Sequence, residues 1–202
     1  MTCRGGPSTI PVRMRLSLSV AVVAGLLVGT AVASVSPIPL PQRVLQAGDF
    51  LGLKPVGSLH VVSNATRWSE TFALPATATT LKQEGFVAGV GEPLRWQAND
   101  IDGLSVTTQL DSAAHARAYM KSVYSTNPSY RPRFPVSSIP GAIGFGSISG
   151  NRGGINVVFE DGDFVYLVGA GWGPSSKHPP TKAQLVAAAA LLYHRVHGHP
   201  GA

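Results

Sequence analysis

Cysteine occurs once in the 202 residues, at Cys3, so no internal disulfide braces the chain and its fold must stand on an apolar core. The same scarcity excludes a C-x-x-C redox or zinc motif. Cys3 also lies before the long apolar run rather than after it, so lipoprotein anchoring finds no support. Clustered positive charge is missing as well. Basic residues are scattered apart from Arg131-Pro-Arg133, and no basic helix or basic-aromatic interleaving appears, which argues against a nucleic-acid partner. Of the 16 Lys and Arg, three (Arg4, Arg13 and Arg15) precede the apolar run. The other 13 against 10 Asp and Glu leave a net +3 rather than +6, an ordinary surface.

Catalytic signatures are absent too. There is no H-E-x-x-H and no dinucleotide fingerprint, and Gly146-Ser-Ile-Ser-Gly150 has Ile148 where a nucleophile elbow needs serine. The glycines through Gly150, Gly153 and Gly154 are followed by no Lys-Ser or Lys-Thr, and they lead into a strand rather than a helix, so they read as connector. Asp100-x-Asp102 fails as an EF-hand start because Leu104 and Ser105 stand where a ligand and the turn glycine belong. No cofactor is implied.

What is present begins with export. Arg4, Arg13 and Arg15 precede the uncharged run Leu16 to Ala33, which ends Ala31-Val32-Ala33, the layout of a secretory signal with an A-x-A site. Eighteen residues at 1.5 Å each also nearly span a bilayer core of about 30 Å, so residues 1–33 are either a cleaved signal or an uncleaved anchor with a membrane span at 16–33. Translation starts at Met1 or Met14. Either way residues 34–202 are secreted or held on the extracytoplasmic face of the membrane.

Residues 34–42, with Pro37, Pro39 and Pro41, read as an extended linker, and residues 43–202 as one domain. Within it, Ser58 to Val62 and Arg67 to Phe72 read as strands around a Ser63-Asn64 turn. Thr80 to Glu84 reads as a short helix capped by Thr79 or Thr80. Phe86 to Gln97 pairs with Leu104 to Leu110 across a turn at 99–103, and the alternation LSVTTQL predicts one buried face. Asp111 to Ser125 is a helix capped by Asp111, and Thr181 with Gln184 opens a second through a capping box. Between the helices, Ile155 to Glu160 and Asp163 to Ala170 form a hairpin. With Asp161-Gly162 as its two-residue loop, Phe159 faces Phe164, Val157 faces Tyr166 and Ile155 faces Val168, and the acidic Glu160, Asp161 and Asp163 make a solvated tip. The fold class is α+β, an antiparallel β-sheet with helices packed on it.

His194, His197 and His199 form the one histidine cluster, with His178 a further ligand if they held a metal. They sit at a helix C-terminus where cationic side chains are favoured anyway. Arg131, Arg133, Phe134 and Trp172 stand on Gly- and Pro-rich loops suited to ligand contact.

Glu84-Gly-Phe86-Val-Ala-Gly89, Ser112-Ala-Ala-His-Ala-Arg117, Ile139-Pro-Gly141 and Val157-Val-Phe-Glu-Asp-Gly162, in this order of elements, resemble small secreted or membrane-anchored actinobacterial envelope proteins of the PsbP-like α+β sandwich type. The resemblance spans residues 43 to 197. It implies a fold and a compartment and carries over no catalytic residue. The reading is a noncatalytic extracytoplasmic binding or interaction module of the cell envelope. Its partner is an envelope protein or a small ligand, met on the sheet face or the loops. The alternatives are a hydrolase without a recognisable motif and a structural envelope tether.

Overall fold

The structure, a computed structural model, describes residues 37–50, 52–72, 76–96, 100–128 and 130–199, with Trp96 described in its backbone alone. Residues 1–33, expected to be a signal or an anchor, and residues 34–36 lie outside the described residues. Among the described residues no helix is long and apolar enough to cross a membrane.

From Phe164 to Trp172 the chain is almost wholly apolar, and the strand it forms is buried along its length apart from half-buried Gly171. Such a strand needs neighbours on both edges and cover on both faces. It is β8, the central strand of an eight-stranded antiparallel sheet. The others are β1 (Lys54–Pro55), β2 (His60–Val62), β3 (Phe86–Trp96), β4 (Ile101–Leu110), β5 (Arg133–Phe134), β6 (Ile143–Ser149) and β7 (Arg152–Asp161). The order is β1-β3-β4-β8-β7-β6-β5, with β2 also paired to β3. Four α-helices, α1 (Ala65–Thr71), α2 (Ala78–Gln83), α3 (Ala113–Tyr119) and α4 (Lys182–Val196), complete the α+β fold.

The β7–β8 hairpin differs in register from the sequence expectation. Asp161 pairs with Phe164, Phe159 with Tyr166, Val157 with Val168 and Ile155 with Ala170, so the loop is Gly162-Asp163. Gly162 has φ +61 and Asp163 is not left-handed, which suits a turn that needs positive φ at its first central residue alone. Because the shift is two residues, the faces survive: Ile155, Val157 and Phe159 still share one core with Phe164, Tyr166 and Val168.

That core is covered by Leu185, Ala188, Ala189, Leu192 and Val196 of α4 and by Leu45, Phe50 and Leu53 of the N-terminal segment. The α4 capping box is present, with Thr181 Oγ1 accepting from Gln184 N and Gln184 Oε1 from Thr181 N, contributing about 1 kcal/mol. The opposite face of the sheet carries α1, α2 and α3 over Val106, Leu110, Val158, Val165 and Leu167. Both faces of β4 are therefore used, against the expectation of one. Ser105 Oγ accepts from Leu45 N at 2.8 Å, and Thr107 Oγ1 donates to the Arg43 carbonyl. Polar residues of an alternating strand here receive the main chain of a strap rather than water. The described end of the 34–42 segment lies against this domain: Leu40 packs on the core and Ile38 O accepts from Arg43 Nε at 3.1 Å.

Other local readings change. Arg67 to Phe72 is largely the helix α1, not a strand. Asn64 caps it by accepting from Arg67 N at 3.0 Å, and Trp68 and Phe72, one turn apart, meet at 5.2 Å. Thr77, not Thr79 or Thr80, caps α2, and Ser112, not Asp111, caps α3. The turn before β4 is shorter than expected, since Ile101–Gly103 already pair with β3. Beyond α3 the chain widens into a π-turn, Met120–Ser125. Tyr119 and Tyr124, five residues apart, are both buried, a spacing that a π-turn can bring to one side.

Candidate functional site

The face of the sheet that carries α3 is covered at the hairpin end alone. Along β4 it runs from buried Leu110, Thr108 and Val106 to half-buried Leu104 and exposed Asp102. Along β7 it runs from Val158 to half-buried Asn156 and Gly154 and exposed Arg152. Between them β8 presents Gly169 and Gly171. The result is an open trough of about 260 Å³, bordered by Asp102, Leu104 and Asn156 and floored by Gly154, Gly169 and Gly171. A second recess of about 250 Å³ at Arg95, Asp100 and Ile101 shares Asp102 with it.

Three glycines on two adjacent strands leave no Cβ on the floor, which is bare at Gly154 and Gly171. Gly154 and Gly171 have open space: an added Cβ meets nothing nearer than a carbonyl at 3.8 Å. Gly169 is different, since a Cβ would overlap Asn156 Oδ1, so the Asn156 amide lies across it. Backbone N–H and C=O groups of the floor belong to the β4–β8–β7 ladders, so hydrogen bonding is left to the rim. There Arg95 Nε donates to Asp102 Oδ1 at 2.7 Å across the strands.

The chain beside the trough is tied down. Asp100, at φ +52, accepts from Ser175 Oγ at 2.5 Å through its carboxylate and from Ser176 Oγ at 2.7 Å through its carbonyl. Asn151 Nδ2 donates to Pro174 O at 2.8 Å. Asp100 and Asp102 thus hold protein partners, and among the described residues no three His, Cys, Asp or Glu side chains are grouped to hold a metal.

The residues singled out in the sequence are not brought together. Arg133 Nη2 donates to Tyr124 O at 3.2 Å and to Ser125 O, closing the end of the π-turn. Phe134 packs against Gly144, where a Cβ would overlap its ring, and Lys182 Nζ lies 5.1 Å from the ring centre. Arg131 is exposed. Trp172 is buried over Gly153 on the opposite face from the trough, its indole nitrogen without a hydrogen-bond partner among the described residues. Of the histidines, His197 Nδ1 lies 2.8 Å from Asp161 Oδ1 and its ring stacks on Tyr193. His194 meets the Tyr193 edge, and the His199 carbonyl accepts from Arg43 Nη2 at 2.6 Å. The hairpin tip is accordingly less solvated than its acidic residues suggest. Asp161 is taken up by His197, and burial raises the Glu160 carboxyl above its ordinary range with Arg117 opposing.

One exposed histidine does have a shifted proton. His115 Nδ1 bonds Asp111, and that hydrogen bond raises the imidazole above its ordinary value and lowers the carboxyl. The His115 contribution is complete below its unfolded value and lost as pH rises through the raised folded one. The Asp111 contribution is present above its unfolded value and lost as pH falls through the lowered one. The pair therefore acts between those limits, at mildly acidic to neutral pH. An NMR titration should give His115 a higher pKa in the native chain than in Asp111→Asn; equal values would show that the pair does not form in solution.

Asn156 and Arg95 carried no sequence motif, and Asp102 stood out through Asp100-x-Asp102 alone, which fails as an EF-hand start. The available signal was periodic: Gly154 and Asn156 on one strand, Gly169 and Gly171 on the next, fall on one face of one hairpin.

No protein-family model and no curated protein matches the chain. Among solved structures, the extracellular domain of PknH from Mycobacterium tuberculosis is similar, with a TM-score of 0.44 and 14% identity over 70% of this chain and 81% of that one. A likeness this distant transfers neither activity nor ligand. The PsbP-like resemblance gains nothing from it.

Proposed function

We propose that the chain is a noncatalytic extracytoplasmic binding module of the cell envelope, with its ligand or partner seated in the glycine-floored trough. The observation that carries this is the trough itself. The hairpin end of this sheet face is packed under α1, α2 and α3, whereas here Gly154 and Gly171 leave the floor bare beside the polar side chains of Asn156 and Asp102. The basic-then-apolar leader ending Ala31-Val32-Ala33 supports the compartment.

Filling the floor tests it. Gly154→Ala and Gly171→Ala should leave stability unchanged or raise it by about 0.5–1 kcal/mol, because an added Cβ at either position meets nothing nearer than a carbonyl at 3.8 Å and alanine removes glycine's extra backbone freedom. Gly171→Trp should then fold but lack the cavity. Affinity capture from native envelope extract, with mass spectrometry of proteins and small molecules, should recover a species with the native chain that Gly171→Trp loses. Identical recoveries from both would remove the trough from consideration.

A further inference from the structure

Beyond the trough, we infer that the outer edge of β6 docks a short acidic segment of another protein, which adds to the sheet as a strand. β5 covers only the start of that edge. Arg133 and Phe134 pair with Phe145 and Gly144, and Gly146 N donates to Pro132 O at 3.1 Å. From Ser147 to Ser149, β6 pairs with β7 on its inner side and, among the described residues, with no strand on its outer side. Main-chain groups of an antiparallel strand point to alternate sides. Since the Gly146 N–H points outward, so do the N–H and C=O of Ile148, whose side chain is 54% exposed. Three residues at about 3.4 Å each leave about 10 Å of edge, enough for a short added strand.

Charge decides what that strand carries. No Asp or Glu occurs between Asp111 and Glu160 or after Asp163, whereas eight Lys and Arg do. Scattered in sequence, five of them gather around this edge. Arg131 and Arg133 belong to the β5 segment, and the Arg133 guanidinium bonds neutral carbonyls that leave its charge uncompensated. Arg152 pairs with Ser149, and Lys182 Nζ stands 5.1 Å from the Phe134 ring centre. Lys177 follows the loop that Asn151 holds at Pro174. All five are exposed, and among the described residues none forms an ion pair. Asp100 and Asp102, at the same end of the sheet but beyond β8, hold Ser175 and Arg95. An edge basic throughout repels the same edge of a second copy and favours an acidic strand. The opposite edge has no such preference, because Lys54, Glu92 and the Arg95–Asp102 pair mix both signs. An anionic lipid surface would match the charge and leave the main-chain groups of Ile148 unused.

The test uses the full chain, ¹⁵N-labelled in a zwitterionic detergent at low salt, titrated with the peptide acetyl-TDVEVDT-amide. One control is the same peptide N-methylated at its three central residues, which keeps the charge and removes the donors a strand needs. The other is the neutral acetyl-TNVQVNT-amide. The acidic peptide should give saturable shifts at the amides of Ser147, Ile148 and Ser149 and slow the exchange of the Ile148 amide, and neither control should. The exposed pair Arg131→Glu and Arg152→Glu, made together, should weaken its affinity about tenfold and create binding of acetyl-TKVKVKT-amide. Unmoved edge amides, equal shifts from either control, or native affinity in the double variant would each overturn the proposal. So would shifts of these amides by micelles doped with phosphatidylglycerol in the absence of any response to the peptide, which would assign the edge to a lipid surface. Gly171→Trp should leave the peptide response intact, so this proposal and the trough reading fail separately.

Discussion

Replacing Arg43 with alanine should lower the stability of the domain by about 4 kcal/mol, a large share of the total for a fold of this size. The side chain is fully buried. Its Nη1 donates to the Tyr166 hydroxyl at 2.6 Å, Nη2 to the His199 carbonyl at 2.6 Å and Nε to the Ile38 carbonyl at 3.1 Å. Its guanidinium carbon stands 3.9 Å from the centre of the Phe164 ring. A cation over an aromatic face away from water contributes about 2 kcal/mol, and each buried acceptor left without its donor costs about 1–3 kcal/mol.

Burial holds the Tyr166 hydroxyl far above its ordinary pKa, with Arg43 offsetting part of that rise, so the phenol stays protonated and the bond persists across the physiological range. Arg43→Lys should recover at most half of the loss, because one ammonium cannot reproduce three bonds pointing in different directions. Urea unfolding followed by circular dichroism measures both. A loss under about 1 kcal/mol for the alanine variant would mean that the N-terminal strap and the chain after α4 are not joined through this residue.

Gly89→Ala should cost about 3 kcal/mol or more, although it adds a single methyl group. The new Cβ would overlap the Trp68 indole at Cε2, Cζ2 and Cδ2. Trp68 cannot withdraw: it is fully buried, its indole nitrogen donates to Thr108 Oγ1 at 3.2 Å, and Phe72 and Phe86 lie 5.2 Å and 6.3 Å from it. Gly154→Ala is the control. It too is a glycine inside a strand, and its added methyl meets one carbonyl at 3.8 Å. The two variants should differ in unfolding midpoint, with Gly89→Ala far below the native chain and Gly154→Ala at or above it. Equal midpoints would show that α1 does not hold Trp68 against β3.

That contrast marks where reading the chain alone succeeds. Ile155 to Phe159 and Phe164 to Val168 announce a strand pair whose apolar alternation assigns one face to the core. The assignment holds even though the loop is Gly162-Asp163 rather than Asp161-Gly162, because a two-residue shift preserves side-chain parity. Thr181 and Gln184 announce a helix start, since a capping box is made by residues three apart in sequence. Arg67 to Phe72 misleads for the converse reason. Its β-prone residues are overruled by a cap at Asn64 and by the contact of Trp68 with Phe72.

The candidate site was less visible. Asp100 and Asp102 suggest a cation loop when read side by side, yet Asp100 is bound by Ser175, 75 positions away, and Asp102 by Arg95 on the neighbouring strand. Asn156 carries no motif, and its exposure depends on how far α3 reaches over the sheet.

Local spacing by itself determined the α+β class, the central hairpin with its core face and the capped start of α4, because each rests on residues within one or two turns or strand repeats. Tertiary structure alone decided which glycines sit under aromatic rings and which floor an open trough. It also decided that Arg43 is a buried clasp rather than a surface charge. A glycine or an arginine has no fixed environment of its own; what surrounds it is set by strands and helices distant in sequence, 123 and 156 positions away for two partners of Arg43.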